Sequence, residues 1–150
     1  MEIDVERLAR QGRGIIGFGW IANAVFALTA IPVAAGLNGL IGVAIGVALV
    51  LFLVSVCAFV YAFLLALSRS TEGDNVAVAN LFFLQGSAPK PIRRRFLWMF
   101  LVCLAVAAGT AAWEPFGVLV PMLPVGLAGM WAARYGVFPP RPIVPPRPRA

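Results

Sequence analysis

Residues 40–67 read LIGVAIGVALVLFLVSVCAFVYAFLLAL, a stretch without a single charged side chain. About 20 apolar residues are enough for a helix to cross the hydrocarbon core of a bilayer. This stretch is longer than that. As a continuous helix it would measure about 42 Å, so it must tilt or project into the interface between lipid and water. We therefore predict an integral membrane protein.

Three further uncharged runs predict three more membrane helices, at residues 14–35, 96–113 and 116–133. The whole chain is only 12% charged, against about 25% in soluble domains. Residues 36–39 and 114–115 are very short connections, and each joins two runs into an antiparallel hairpin. The predicted fold is all-α and integral to the membrane, with four transmembrane helices arranged as two antiparallel hairpins.

The twelve Lys and Arg residues all fall between or outside these runs, at 7–13, 69–95 and 134–149. Because positive charge on short loops marks the cytoplasmic side, we predict a cell (inner) membrane protein with both termini in the cytoplasm. A bilayer with anionic headgroups explains the basic residues, so no nucleic acid is predicted as a partner. The bias towards Ala, Val, Gly, Arg and Pro is typical of a GC-rich bacterial genome.

The cytoplasmic loop at residues 68–95 joins the two hairpins. Its apolar segment, 76–84, is too short to cross a bilayer. Asp74 or Asn75 could cap a short helix that starts at Val76 and lies in the membrane interface. Phe82 and Phe83 would then point into lipid. The segment is predicted either to anchor the loop to the membrane, which is favoured, or to dock another subunit.

A basic cluster follows the apolar segment, formed by Lys90, Arg93, Arg94 and Arg95. It is predicted first to set the topology. The alternative is a binding site for an anionic lipid, a nucleotide or an acidic protein, although no Gly-rich phosphate loop supports the nucleotide.

Residues 138–150 form a proline- and arginine-rich cytoplasmic tail that follows the membrane domain, 1–137. Pro-Pro-Arg-Pro occurs at 139–142 and again at 145–148. In a polyproline II helix Arg141 and Arg147 would project from one face about 19 Å apart. Such a face suits an acidic or proline-reading partner. A solvated, extended tail is the favoured alternative.

Small residues recur at four-residue spacing in several runs, which lets membrane helices approach closely. The predicted packing pairs are Gly42 with Gly46 and Ala105 with Gly109, within the chain or between copies of it. Ala58, Ala62 and Ala66 share this spacing.

Several kinds of chemistry are poorly supported. The chain has no His, and no Asp or Glu lies inside an apolar run. Glu114 falls in the outer turn, where it could cap the fourth span with Pro115 at the first helical position. We predict no catalytic residue, no cofactor and no metal site. The size and four-span layout resemble small multidrug-resistance exporters, but those rely on a Glu in the first span, where this chain has only Asn23 and Thr29.

The predicted function is that of a small non-catalytic accessory or assembly subunit of a larger membrane complex. The second hairpin is the less hydrophobic one, so it is predicted to bind the partner together with the loop and the tail. The alternative is a small channel or transporter that acts as a homo-oligomer. Its pore-facing polar residues would be Asn23, Ser55 and Thr110.

Overall fold

The computed structural model describes Arg10 and residues 12–140. In this part of the chain the structure is all-helical, with no strand, and turns and loops join the helices. The predictions for Arg141, Arg147 and the rest of the tail beyond Pro140 lie outside the described residues. The helices are α1 Arg13–Ala34, α2 Ile41–Thr71, α3 Val78–Phe82, α4 Lys90–Thr110 and α5 Met122–Tyr135, with 3-10 helices at Asn38–Leu40 and Pro115–Leu119.

Among the described residues, three helical stretches are long and apolar enough to cross a membrane: Arg13–Ala34, Asn38–Thr71 and Pro115–Tyr135. The all-helical class is thus confirmed. Helix α4 differs because arginines fill its early turns, so its apolar part, 96–110, begins late. That part is about 22 Å long, short of the ~30 Å hydrocarbon core. A fourth span therefore stays a prediction.

The fourth apolar run, 116–133, is not one continuous helix. It consists of the 3-10 helix Pro115–Leu119 followed by α5. Pro121 is the N-cap of α5, and Pro124 lies in its first turn. Amides of a first helical turn have no partner within the helix, so a proline there removes no hydrogen bond. The prolines start α5 rather than kink it.

Helix α5 is the central helix of the bundle. Its large side chains Leu123, Leu127 and Trp131 are fully buried, and its most extensive contact is with α2. A methyl group at Gly129 would lie 3.3 Å from Cβ of Ala62. Ala58, Ala62 and Ala66 are buried on the contacting face of α2, so small residues at four-residue spacing do form a close helix contact here.

Helix α1 packs mainly on α4. Gly19 lies against the thioether of Met99, and one turn later Nδ2 of Asn23 donates a hydrogen bond to the Met99 carbonyl at 2.8 Å. The two most extensive helix contacts therefore join the predicted hairpins to each other, α1 with α4 and α2 with α5. The bundle is one unit rather than two hairpins side by side.

The predicted packing pairs make no close helix contact with the described residues. A methyl group added at Gly42, Gly46 or Gly109 would meet no atom within 4 Å, and Ala105 is exposed. The small-residue contact lies elsewhere, between the alanines of α2 and Gly126 and Gly129 of α5. Packing of the predicted pairs between copies of the chain stays a prediction.

Candidate functional site

One end of the bundle gathers basic residues of three helices, and we call it the basic end: Arg69, Lys90, Arg93, Arg94, Arg95 and Arg134. Arg69 at the end of α2 donates hydrogen bonds to the carbonyls of Ala133 and Gly136 at the end of α5. Trp131 of α5 contacts Phe96 in the second turn of α4, with ring centroids 6.5 Å apart. These contacts bring the basic start of α4 beside the basic ends of α2 and α5.

Arg69 holds this end together. Its Nη1 donates to Gly136 O at 2.8 Å and to Ala133 O at 3.2 Å. Its Nε donates to the carboxylate of Asp74 at 3.0 Å, and its guanidinium carbon lies 4.7 Å from the ring centre of Phe138. A cation at the C-terminus of α5 also matches the helix dipole. The side chain that the sequence counted only as a topology charge is a structural tie.

The loop contains the predicted short helix, but its start and its cap differ from the prediction. Helix α3 begins at Val78 after the N-cap Ala77, with no side-chain cap. Asp74 binds Arg69 instead, and the backbone N–H of Asn75 donates to the Pro139 carbonyl at 2.8 Å. The predicted cap by Asp74 or Asn75 is wrong, because both residues serve contacts with other segments.

The start of the predicted tail is part of the fold. Phe138 is only 6% exposed and belongs to the hydrophobic core. Val137 N–H donates to the Ser87 carbonyl at 3.0 Å, and the Ser87 hydroxyl donates to the Asn80 carbonyl. Residues 72–89 and 136–140 are thereby joined into one surface, which we call the loop–tail platform.

An apolar groove of about 190 Å³ lies between the platform and the helices α4 and α5. Three of the predicted lipid or partner contacts, Phe82, Phe83 and Arg93, meet in its lining. Lys90, Arg94 and Arg95 are exposed and do not line it. The lining comprises Phe82, Phe83, Leu84, Gln85, Arg93, Phe96, Leu97, Phe100, Pro124, Val125 and Ala128.

Phe82, the last residue of α3, and Phe83, its C-cap, have different surroundings. Phe82 stacks on Phe59 of α2 with ring centroids 4.8 Å apart, and it covers Gly129 of α5. Phe83 is 59% exposed. Both rings are predicted to point into lipid; the Phe82 ring packs on α2 and α5, where the absence of a side chain at Gly129 leaves room for it.

A second, wider hollow opens at the basic end between α2 and α5, with a volume of about 690 Å³. Glu72 and Arg134 contribute charges of opposite sign to its wall, and Arg69 lies in the same wall. The described part of the chain contains no group of three Cys, Asp or Glu side chains placed to hold a metal ion. The hollow is therefore a polar recess of the basic end.

The three residues predicted to face a pore in the alternative function are all buried. Asn23 bonds to α4, and Ser55 lies where α2 meets Gly126 of α5. Thr110 donates to the Val106 carbonyl of its own helix at 2.9 Å. None of these three side chains bonds to another, but Asn23 Oδ1 and Ser55 Oγ have no hydrogen-bond partner among the described residues.

Glu114 is the buried polar residue that the sequence did not reveal. Its exposed fraction is 0%, and neither carboxylate oxygen has a well-formed hydrogen bond to a described residue. Glu114 is the N-cap of the 3-10 helix and Pro115 is its first residue, as predicted, but the side chain makes no well-formed capping hydrogen bond. The carboxylate folds back over Gly117, where a methyl group would lie 2.5 Å from Oε2 and 3.0 Å from Cζ of Phe26.

Burial raises the pKa of Glu114 above the ordinary value for a glutamate, and the backbone N–H groups of Gly117 and Phe116 oppose that rise. Desolvation is the larger of these effects because the side chain has no contact with water. The one sequence signal was Gly117, the small residue that makes room for the carboxylate.

Comparison of the chain with protein-family models, curated proteins and solved structures finds no match.

Proposed function

We propose that this protein is a four-span cell (inner) membrane protein, with both termini in the cytoplasm, that serves as a non-catalytic accessory or assembly subunit of a larger membrane complex. The observation that carries the proposal is the loop–tail platform at the basic end. Its position supports a cytoplasmic contact surface, because basic ends of membrane helices favour the cytoplasm.

A plain connector between two spans needs no fixed structure, and ordering a backbone costs about 1–2 kcal/mol per residue. Here the side chain of Arg69, the backbone of Asn75 and the hydroxyl of Ser87 hold the segment in one conformation. Val78 and Phe83 remain exposed on it. Fixed apolar groups beside exposed cations suit a partner with apolar and acidic groups.

The second hairpin needs less outside support than its hydropathy suggested. The other helices enclose α5, and the apolar face of α5, which is formed by small residues, packs against α2. Its modest hydrophobicity is therefore compensated within the chain. The platform becomes the principal candidate for partner binding.

A tag at Met1 and purification in mild detergent test this proposal. We expect a stoichiometric membrane partner to copurify with the natural chain. The double substitution Val78→Ser and Phe83→Ser should release it, because it removes the exposed apolar groups of the platform. The control Phe116→Ser changes an exposed apolar residue of the fourth span, at the end opposite the basic end, and should retain the partner. A stable chain that purifies without any partner contradicts the proposal.

A second candidate function, a small channel or transporter acting as a homo-oligomer, is favoured by the buried polar atoms of Asn23, Ser55 and Glu114. Glu114 supplies a buried carboxylate, which proton-coupled transport commonly uses. Solute flux into reconstituted vesicles that disappears in Asn23→Leu and in Glu114→Gln would favour this function. Thr29→Val is the control, since the Thr29 hydroxyl bonds only within its own helix. Absence of flux in the natural chain counts against it.

A further inference from the structure

We propose that the apolar groove binds one acyl chain of an anionic phospholipid whose phosphate pairs with Arg93. The inference depends on the membrane location of the helices and does not depend on the proposed partner complex. It joins two features that lie apart in the sequence, the phenylalanines of the loop and the arginines that open α4.

The groove has the form that an acyl chain requires. Nine of its eleven lining residues are apolar, and the two polar ones are Gln85 and Arg93. Its volume of about 190 Å³ exceeds the ~150 Å³ that admits a benzene molecule in an engineered protein cavity. It therefore has room for one segment of an acyl chain, and the rest of the lipid would stay in the bilayer leaflet.

The charge of the groove selects the headgroup. Arg93 is the only charged residue in its described lining, and Lys90, Arg94 and Arg95 are exposed on the same turns of α4. A phosphate held by a guanidinium gains paired, charge-assisted hydrogen bonds. A lipid with net negative charge is additionally attracted by the neighbouring cations, but more weakly than by Arg93, because they do not line the groove and salt screens exposed charges at a distance.

The groove also explains why the loop contains a helix. Phe82 is held between Phe59 and Gly129, which fixes α3 over the side of α5. Without α3 the surface formed by Phe100, Val125 and Ala128 would have no wall on this side. A lipid is a better match than a protein side chain, because the cationic end and the apolar groove follow each other along a helix that enters the membrane.

Native mass spectrometry of the full chain in mild detergent tests the proposal. The probes are phosphatidylglycerol and phosphatidylcholine with identical acyl chains. We expect phosphatidylglycerol to be retained several-fold more strongly. Arg93→Gln should lower its retention about fivefold and lower that of phosphatidylcholine less, because the choline cation already offsets the charge of that phosphate. The control Arg94→Gln removes the same charge outside the lining and should change retention less than twofold.

A second pair of variants tests the groove itself. Leu97→Trp fills it from its rim, where Leu97 is already exposed, and should lower retention of both lipids at least fivefold. Leu101→Trp adds the same bulk to an exposed position outside the lining and should have no effect. Circular dichroism checks that all variants are folded.

Three results would overturn the proposal. Equal losses in Arg93→Gln and Arg94→Gln would mean diffuse electrostatic attraction without a site. Unchanged lipid retention in Leu97→Trp, with no loss of a copurifying protein, would leave the groove without a role in lipid binding. Unchanged lipid retention in Leu97→Trp, with loss of a copurifying protein, would assign the groove to a protein partner.

Discussion

Glu114 is an ionisable side chain in a fully buried position. A buried carboxylate without a well-formed hydrogen bond is costly in its charged form, and the pKa of Glu114 is raised chiefly by desolvation. A group with a raised pKa in the folded state stabilises the fold fully below its unfolded pKa. This contribution is lost as the pH rises through the folded pKa, because only the folded state still holds the proton in that interval.

Glu114→Gln should therefore stabilise the protein at neutral pH, by about 1–3 kcal/mol, since it removes the buried charge. The difference from the natural chain should shrink as the pH falls towards 4, where both side chains are neutral. Thermal unfolding followed by circular dichroism across this pH range measures it. A difference that is constant with pH would show that ionisation of Glu114 is not its origin.

Arg69 connects three segments of the chain, so its substitution should destabilise segments outside α2 as well. We expect Arg69→Gln to destabilise the protein by about 1.5–3 kcal/mol, because hydrogen bonds from a charged donor to two carbonyls and a carboxylate disappear. Hydrogen exchange of residues 72–89 should speed up most. Arg134→Gln, which removes an exposed charge near the same place, serves as the control. Equal destabilisation by the two variants would show that Arg69 contributes only its charge and not its hydrogen bonds.

Packing of whole helices could be predicted only in part. Hydropathy identified the apolar runs, and α1 and α2 begin and end within a few residues of the predicted 14–35 and 40–67. Hydropathy does not record which face of a helix meets a neighbour. Glycines at four-residue spacing in α2 are open, while alanines at the same spacing further along are buried, so spacing alone could not distinguish the two.

The structure makes a clear distinction between two glycines in the middle of helices. Gly129→Leu should destabilise the protein by about 1–3 kcal/mol, because the new side chain would collide with Phe82 and with Ala62. Gly46→Leu should leave stability of the monomer unchanged, since a methyl group added at Gly46 would meet no described atom of another helix within 4 Å. Thermal unfolding and light scattering of the detergent complex compare the two. A larger loss in Gly46→Leu would contradict the helix arrangement, and a change of its mass alone would reveal packing between copies.

The candidate site, like the packing of the helices, could be predicted only in part from the sequence. Phe82, Phe83 and Arg93 were identified as contact residues from composition and charge, but their meeting in one groove depends on Gly129 and on the path of residues 83–89. Glu114 was expected at a solvent-facing turn and is buried because Gly117 makes room for it. Long-range pairings of this kind leave no periodic signal in one sequence.

For the molecule as a whole, the central claim is that α4 crosses the membrane, so that the basic end and the turn at Glu114 lie on opposite sides. The arginines at the start of α4 make its apolar part shorter than the hydrocarbon core is thick. Burial of Met99, Cys103 and Ala107 against the other helices supports the crossing, because a helix packed along α1 shares the span of α1.

Cysteine labelling in intact cells tests this claim most directly. In a full-length chain with Cys57→Ala and Cys103→Ala, single cysteines are introduced as Trp113→Cys and Gln85→Cys, both at exposed positions. A membrane-impermeant maleimide should label position 113 in intact cells and position 85 only after permeabilisation. Labelling of both positions from the same side would contradict the four-span topology and the cytoplasmic placement of the loop–tail platform.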